Sequence, residues 1–313
     1  MKSLDSLLST LRLRSALQNR VVLGEPWGVR FPVRPQSGKF HFMEQGSGQL
    51  CVPECPPTIM RQGDFAIVMT DREHTVQDLT GSRPTPLPEL LSKSDTLCAS
   101  GITLRFGGAG AETSVISGDF DFAESAHHPL LRLLPPCLIL RGNGEIGAPG
   151  LDAVLKVLTT ESMAAQPGAT ALLDRLCDVL FIQAIRGWLH TGDSGTGLPA
   201  AVQNAAIDGA LHLIQSEPAN SWTVEYLARE VALSRSVFAE RFRRLTGDTP
   251  MGYLARWRAH CATRLLQDEQ LGMMEVASRV GYESEFAFAK AFKRITGIAP
   301  GAYRRSKSGV RVA

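Results

Sequence analysis

The side chains with the clearest chemistry lie on two short segments that are 50 residues apart in the sequence. The first segment carries Arg235, Ser236, Ala239, Glu240 and Arg243, and the second carries Glu285, Phe286, Ala289, Lys290 and Lys293. Cations bind phosphate, whereas hydroxyl, carboxylate and apolar groups can discriminate base edges in the major groove of DNA. Glu240 is suited to accept from cytosine N4, and Phe286 to contact a thymine methyl group. A surface that merely faces solvent would show the same residue types, so this alternative stays open for each residue.

Both segments belong to an internal repeat. The apolar residues Phe238, Phe242 and Leu245 recur as Phe288, Phe292 and Ile295, and each set is followed by Thr-Gly, Pro and Tyr at equal spacing. In each copy we predict a short helix (224–231 and 274–280), a tight turn and a longer helix that begins near Ser234 or Ser284, residues suited to N-caps. The i, i+4, i+7 spacing places the apolar residues on one buried stripe, which turns the ten residues named above outward.

A long helix is predicted between the two copies. It begins at Pro250 behind the cap Thr249 and extends to Gln267, with Leu254, Trp257, Cys261 and Leu265 facing inward and Arg256, His260 and Arg264 facing outward. Gly247 and Gly297 are expected to end the preceding helices in the left-handed conformation. The spacer spans roughly 27 Å at about 1.5 Å per residue. Successive major grooves on one face of DNA are ~34 Å apart. We therefore predict that both units engage DNA only if it bends or if one unit docks loosely.

The charge distribution agrees with a nucleic-acid partner for the C-terminal part. The chain has 313 residues and a net charge of +2. Residues 1–199 contain 17 Lys and Arg against 20 Asp and Glu, whereas residues 200–313 contain 16 against 11. The net charges are thus −3 and +5, so the basic part is the one suited to phosphate.

The sequence shows neither a secretory signal nor a membrane span, and we expect a cytoplasmic protein.

The N-terminal part has a different pattern. Residues 28–122 form short apolar pieces separated by Gly, Pro, Asp and Ser, which is typical of antiparallel barrels or sandwiches. Residues 172–189 show the periodicity of an amphipathic helix, which either pairs with its twin in a homodimer or packs on its own barrel. We predict a two-domain α+β protein: a β-barrel with flanking helices over 1–190, a linker over 191–202, and an all-α domain over 203–313.

The C-terminal motifs resemble those of the AraC/XylS family. The resemblance covers about residues 203–305, including GYESEFAFAKAFKRITGIAPGAYR in the second copy. It implies two helix-turn-helix units that bind double-stranded promoter DNA in a regulator, usually an activator, that responds to a small molecule or stress and contacts RNA polymerase. Glu240 departs from the basic or amide residue that is often found there, which leaves its base preference open.

The N-terminal motifs resemble the cupin-type sensor domain of one AraC subfamily. The resemblance is carried by KFHFMEQGSG, HPLLRLLPP and the turn Gly63-Asp64 before a strand and His74. Metal-binding cupins use histidines and a glutamate, so the resemblance implies His41, Glu44 and His74 as candidate ligands of a divalent metal or effector. A packed or exposed histidine is the ordinary alternative, and we expect no cofactor.

Two further interpretations concern reactivity. Six cysteines are scattered without zinc-type spacing, and the pair Cys51 and Cys55 is a candidate redox switch, although buried or idle thiols would show the same spacing.

A cupin-like barrel also fits a metal-dependent enzyme with an accessory DNA-binding module. Against this alternative stand the incomplete ligand set and the lack of a nucleophile motif or phosphate loop. We therefore expect a transcriptional regulator and no catalytic residues. No chemistry is assigned to His127-His128-Pro129.

Overall fold

The computed structural model describes residues 2–69, 72–93, 103–122, 127–142, 149–164, 166–191, 197–268 and 270–308. The chain forms two compact units. The barrel unit comprises Arg12–Glu124 and Pro135–Gly192, and the helical unit comprises Met1–Leu11, Ser125–Leu134 and Asp193–Ala313. No helix within the described ranges is long and apolar enough to cross a membrane.

All strands of the described ranges lie between Arg14 and Leu140 and ten helices follow them, which confirms the predicted α+β class. The strands are β1 (Arg14–Gly24), β2 (Gly28–Phe31), β3 (Ser37–Gln45), β4 (Ser47–Cys51), β5 (Thr58–Arg61), β6 (Phe65–Met69), β7 (His74–Gln77), β8 (Thr85–Pro86), β9 (Thr103–Gly107), β10 (Glu112–Asp121) and β11 (Cys137–Leu140). The helices are α1 (Lys2–Thr10), α2 (Leu87–Lys93), α3 (Pro129–Leu133), α4 (Pro149–Ala164), α5 (Ala169–Thr191), α6 (Gly197–Gln203), α7 (Ala205–Ser216), α8 (Val224–Glu230), α9 (Arg235–Thr246), α10 (Pro250–Leu265), α11 (Met273–Arg279), α12 (Glu285–Thr296) and α13 (Pro300–Ser308).

The barrel unit is built from two facing sheets. One sheet has the order β11-β6-β3-β10-β1-β9 and the other β5-β4-β7-β2-β8. Neighbours are antiparallel except for the parallel pairs β1–β9 and β2–β8. Because side chains alternate between the faces of a strand, one face of each sheet supplies the apolar core, which includes Met43, Leu50, Met60 and Val76.

Helix α5 covers the outside of this barrel. Its buried residues include Cys177, Phe181 and Ile185, and Phe181 contacts the rings of Phe120 and Phe122. The alternative in which the 172–189 helix packs on its own barrel therefore holds for one face. Leu172, Val179 and Ile182 remain exposed on another.

The helical unit includes two segments that the predicted division at residue 190 does not separate from the barrel. The first is α1, whose Leu4 and Leu7 are buried. The Asp208 carboxylate of α7 accepts hydrogen bonds from the Lys2 and Ser3 amides at 3.2 and 3.3 Å and from Ser3 Oγ at 2.5 Å. The second is α3, which begins behind the buried N-cap His128.

The predicted linker over 191–202 is corrected in its second half, because α6 extends over Gly197–Gln203. Leu198, Ala201 and Val202 are buried there, and this burial stabilises a helix too short to show a clear period in the sequence. Residues 192–196, Cys98 and the first two residues of the predicted piece GITLRF lie outside the described residues.

Candidate nucleic-acid surface and barrel interior

The two longer helices of the repeat, α9 and α12, show the predicted division into a buried and an exposed face. Phe238, Phe242 and Leu245 are buried on α9, and Phe288 and Phe292 are buried on α12. Of the ten residues predicted to face outward, Ala239 and Ala289 are partly buried and the other eight are exposed. Phe286 is 79% exposed, which is unusual for a large aromatic side chain without a partner surface. Contact of these residues with DNA stays a prediction.

Local hydrogen bonds fix the ends of both helices. Ser234 and Ser284 accept from the amides of Val237 and Ala287 at 3.4 and 3.2 Å, which confirms both predicted N-caps. Gly247 and Gly297 have φ values of 70° and 81°, so the predicted left-handed ends are also confirmed. These caps fix the residues at which each helix begins and ends, and therefore which residues lie on its exposed face.

Cations dominate the outward face of α9. A groove of about 890 Å³ lies beside this face and is lined in part by Ser236, Glu240, Arg243 and Arg244. Arg235 forms an ion pair with Glu225 of α8 at 2.6 Å, which orients its guanidinium. Sequence reasoning missed Arg244, although its position beside Arg243 in the last turn was visible in the sequence.

The spacer helix α10 departs from its predicted orientation at His260, which was expected to face outward. His260 is only 3% exposed, because the helix is covered on that side by His128, whose ring centroid lies 4.4 Å away. Arg264 is exposed as predicted, and Arg256 is partly buried and forms an ion pair with Asp248. Helix α10 is thus packed on more than one side, because the N-cap of α3, His128, covers the face that carries His260 although it is distant in sequence.

Inside the barrel, the structure brings His41 and His74 together from opposite sheets. Their Nε2 atoms are 2.9 Å apart, and His41 Nδ1 is 2.9 Å from Ser117 Oγ. Phe31 stacks on His74 with a ring-centroid distance of 4.9 Å. Burial, followed by His74 and Lys39, lowers the pKa of His41 well below its usual value. Burial, followed by Lys39, lowers the pKa of His74 to about 3. Both imidazoles are neutral at ordinary pH.

Glu44 does not join these histidines. It is the extra residue of a bulge in β3, where Gln45 and Met43 pair with successive residues of β10. Its carboxylate accepts from Arg20 Nε at 2.8 Å and from Ser114 Oγ. Its partners Arg20 and Ser114 lie on the face opposite to their neighbours Val21 and Val115, which line the same cavity as His41, so Glu44 points away from His41. The predicted three-residue set is therefore not assembled, and the described residues contain no group of three His, Cys, Asp or Glu side chains that fits a metal ion.

A buried lysine, missed by sequence reasoning, lies beside the histidine pair. Lys39 is 4% exposed, and its Nζ lies 2.5 Å from Asp119 Oδ1 and 5.5 Å from the centroid of Phe31. Lys39, His41 and Ser117 form the polar part of an otherwise apolar cavity of about 30 Å³. Alternation of side chains along β3 could have placed Lys39 on the same face as His41. Ser117 could not have been found in this way, because it joins them only through the pairing of β3 with β10.

The cysteines of the predicted redox pair differ in their surroundings. Both Cys51 and Cys55 are partly buried and free. Cys55 packs against the barrel core, as does Cys137. Burial, followed by Cys55, raises the pKa of Cys137 to about 12, which keeps this thiol protonated and weakly nucleophilic. A redox role of Cys51 and Cys55 stays a prediction.

Comparisons with known proteins agree with both halves of this geometry. Residues 3–190 match the cupin family, and residues 227–306 match the helix-turn-helix domain family. A putative AraC-like transcription regulator of Streptomyces antibioticus is 32% identical over 97% of this chain and 99% of its own length. The HTH-type transcriptional regulator AlkR of Acinetobacter baylyi is 35% identical over 56% of this chain and 58% of its own. The solved DNA-binding domain of AdpA in complex with a target DNA is 33% identical, with a TM-score of 0.32, over 34% of this chain and 95% of that domain.

Proposed function

The chain belongs to the AraC-like transcription regulators, a family of DNA-binding regulators with a cupin-like sensing domain, and from this premise we propose how it acts. The outward faces of α9 and α12 bind promoter DNA, and the barrel interior binds a small-molecule effector that controls this activity. The protein acts as an activator that contacts RNA polymerase, in the cytoplasm where promoter DNA lies.

One observation carries the DNA-binding part of this proposal. Two helices of the same repeat bury their aromatic residues and expose a mixed set of cations, carboxylates and Phe286. Helix-turn-helix proteins place such a second helix in the major groove, where cations bind phosphate and the other side chains read bases. The residue types suit the two helices to different contacts. Ser236 and Glu240 of α9 are suited to select bases, and Lys290 and Lys293 of α12 are suited to bind the phosphate backbone of DNA.

The barrel is proposed to bind its ligand without converting it. A metal-dependent cupin needs a converged set of ligands, and Glu44 is held away from His41 and His74 by Arg20 and Ser114. The curated relatives named above are regulators by name. Turnover of a small molecule at this site would contradict the proposal.

A homodimer is proposed through the outer face of α5. Leu172 and Val179 are seven residues apart and, with Ile182, are 38–44% exposed. Residues with this spacing fall on one stripe of a helix, as in paired helices. Size measurements on the full chain, compared with Leu172→Ser combined with Val179→Ser, test this: we expect a dimer that the substitutions dissociate, and a monomer in both cases would contradict it.

Genome-wide footprinting of the full chain tests the proposal as a whole. We expect protected sites upstream of a small number of transcription units, each with two adjacent protected stretches on one face of the DNA. A matched variant with Lys290→Ala and Lys293→Ala should lose most of the protection. Protection without sequence preference would contradict a role as a regulator.

A further inference from the structure

Three arginines of the helical unit form what we name the arginine cluster: Arg132 of α3, Arg256 of α10 and Arg294 of α12. His128 of α3 packs on His260 of α10 with a ring-centroid distance of 4.4 Å. Arg132 lies one helical turn after His128, and Arg256 lies one turn before His260, so the contact between α3 and α10 places both arginines on the same side of α10. Helix α12 shares a hydrophobic core with α10. Packing of three helices thus assembles the arginine cluster.

The charges of the arginine cluster are not balanced. Burial, followed by the charges of Arg132 and Arg294, lowers the pKa of Arg256, so both cations lie close to it. Arg256 remains a cation, because a guanidinium stays protonated at any ordinary pH. It forms an ion pair with Asp248, whereas Arg132 and Arg294 are exposed and form no ion pair with a described residue. Repulsion within the arginine cluster opposes folding of the free protein, and a bound anion relieves it.

The arginine cluster borders the surface that is proposed to bind DNA. Arg294 lies one turn after Lys290 on α12, so the two side chains are neighbours on the helix surface. The internal repeat places Arg294 at the position of Arg244 in α9. Arg244 lines the same groove as Ser236 and Glu240, the residues proposed to read bases. An anion on the arginine cluster therefore lies next to the proposed DNA-binding face of α12.

A phosphate of DNA fits this surface better than an acidic protein segment does. Lys290 and Lys293 continue the positive charge along α12, and clustered cations of this kind are the electrostatic footprint of a nucleic-acid backbone. Guanidinium groups offer paired N–H donors that match phosphate oxygens. Phosphate contacts need no apolar surface, whereas the centre of a protein interface does.

We propose that the arginine cluster binds a backbone phosphate of DNA beside the second helix-turn-helix unit. This inference rests on the proposed function, because it adds a contact to the same DNA complex. The donors are the guanidinium groups of Arg132 and Arg294, and Arg256 adds its charge from a position held by Asp248. Arg132 lies outside residues 227–306, which match the helix-turn-helix family. DNA affinity therefore depends on a segment that lies between β10 and β11 in the sequence.

Binding of the full chain to a footprinted duplex, measured over a range of salt concentrations, tests this. Arg132→Ala should weaken binding about three- to tenfold and reduce the slope of log affinity against log salt by about 0.9, the equivalent of one phosphate contact. Arg132 is exposed, whereas Leu130 and Leu133 anchor α3, so the substitution leaves the fold intact. Arg132→Lys keeps the charge and should keep the slope. Arg105→Ala is the matched control, because Arg105 is an exposed cation of the barrel unit, and it should bind as the parent chain does.

Duplexes that carry a single neutral methylphosphonate identify the phosphate. The parent chain should lose affinity when one backbone position beside the second half-site is neutralised. Arg132→Ala and Arg294→Ala should lose little further affinity at that position, because the contact is already absent in both. Losses that add at every backbone position would overturn the assignment of both arginines to one phosphate.

The outcomes separate this inference from the proposed function. If the parent chain prefers its footprinted duplex but Arg132→Ala has unchanged affinity and slope, the inference is wrong and the proposed function stands. If Arg132→Ala binds DNA normally but no longer activates transcription by RNA polymerase in vitro, the arginine cluster binds an acidic protein surface and the inference is overturned. If the parent chain has no preference for its footprinted duplex, the proposed function itself is wrong.

Discussion

At the scale of single residues, the exposed face of α9 mixes two kinds of side chain whose effects on DNA binding should differ. Arg243 is an exposed cation in the last turn, whereas Glu240 carries an acceptor suited to cytosine N4. Arg243→Ala should weaken binding to all sequences and reduce the salt dependence by the equivalent of about one phosphate contact. Glu240→Ala should instead change the preferred base at one position, with a discrimination loss of about 1–3 kcal/mol.

Competition binding with duplexes varied at one base pair, measured at two salt concentrations, checks both outcomes. Arg279→Ala is a suitable control, since Arg279 is exposed on α11 and paired with Glu275. A uniform loss in both Glu240→Ala and Arg243→Ala would show that Glu240 does not read a base.

Sequence reasoning at this scale succeeded where neighbours on the chain decide the environment. The exposure of Glu240 and Lys290 follows from the helical period that buries Phe238 and Phe288. It failed for Glu44, because a bulge and the partner Arg20 on another strand decide where its carboxylate lies. It also failed for His260, whose neighbour His128 is 132 residues away in sequence.

At the scale of elements, the end of α12 depends on a backbone conformation that favours glycine. Gly297 has φ of 81°, and no heavy atom lies within 4 Å of the position that a Cβ would take. Gly297→Ala should therefore cost about 1 kcal/mol through backbone strain alone. Gly209 lies inside α7 without a positive φ, and a Cβ there would meet only a side-chain atom of Val231 at 3.6 Å. Thermal unfolding should show a melting point lowered by a few degrees in Gly297→Ala and unchanged or raised in Gly209→Ala. Equal effects of the two substitutions would contradict this explanation.

The packing of α3 on α10 predicts acid sensitivity of the helical unit. His128 accepts from the Leu130 amide at 3.1 Å and lies 3.1 Å from Thr10 Oγ1 of α1. Burial, followed by His260, lowers the pKa of His128 well below its usual value. The folded state therefore resists a proton that the unfolded chain accepts near pH 6.5. Stability is full above that pH and falls as pH decreases below it.

Substitution of His128 isolates this effect. His128→Asn preserves a side chain that can cap α3 but removes the titrating group. We expect the drop in melting temperature between pH 7.5 and pH 5.5 to be smaller in His128→Asn than in the parent chain. The exposed His190 provides the control substitution His190→Asn. An undiminished drop in His128→Asn would refute the role of this histidine.

The helices and strands that could be predicted are those whose sequence signals lie within a few residues of one another. Helices α8, α9, α10 and α12 begin behind a side-chain N-cap, and the ends of α8 to α12 agree with the predicted ends to within two residues. Strand β1 and helix α1 were missed, although Leu4, Leu7, Leu8 and Leu11 follow the helical period that would have indicated α1. The docking of α1 depends on Asp208, which no local pattern can indicate.

At the scale of the whole molecule, the spacer helix sets the reach of the two DNA-binding helices. Helix α10 has 16 residues, which correspond to about 24 Å, against the ~34 Å between successive major grooves on one face. We predict that DNA bends when both units engage it. A circular-permutation gel should show mobility that depends on site position. Position-independent mobility at full affinity for both half-sites would contradict this prediction.

The chain passes between its two units more often than the sequence suggested. Met1–Leu11 and Ser125–Leu134 belong to the helical unit, although both lie within the range predicted for the barrel domain. The last described strand, β11, ends at Leu140, and α4 and α5 still belong to the barrel unit, so the change from strands to helices precedes the boundary between the units. Composition could not show that short segments on either side of the strands pack with distant helices, because such packing depends on long-range contacts.

The most direct test of the account is the specificity ratio of the full chain for DNA. Binding should be measured at one fixed salt concentration to a duplex chosen by footprinting and to the same duplex with its half-sites scrambled. We predict a preference of at least about a thousandfold for the chosen duplex. Glu240→Ala should reduce this ratio, whereas Lys293→Ala should weaken both complexes together. A ratio below tenfold in the parent chain would contradict the claim that this protein reads DNA sequence.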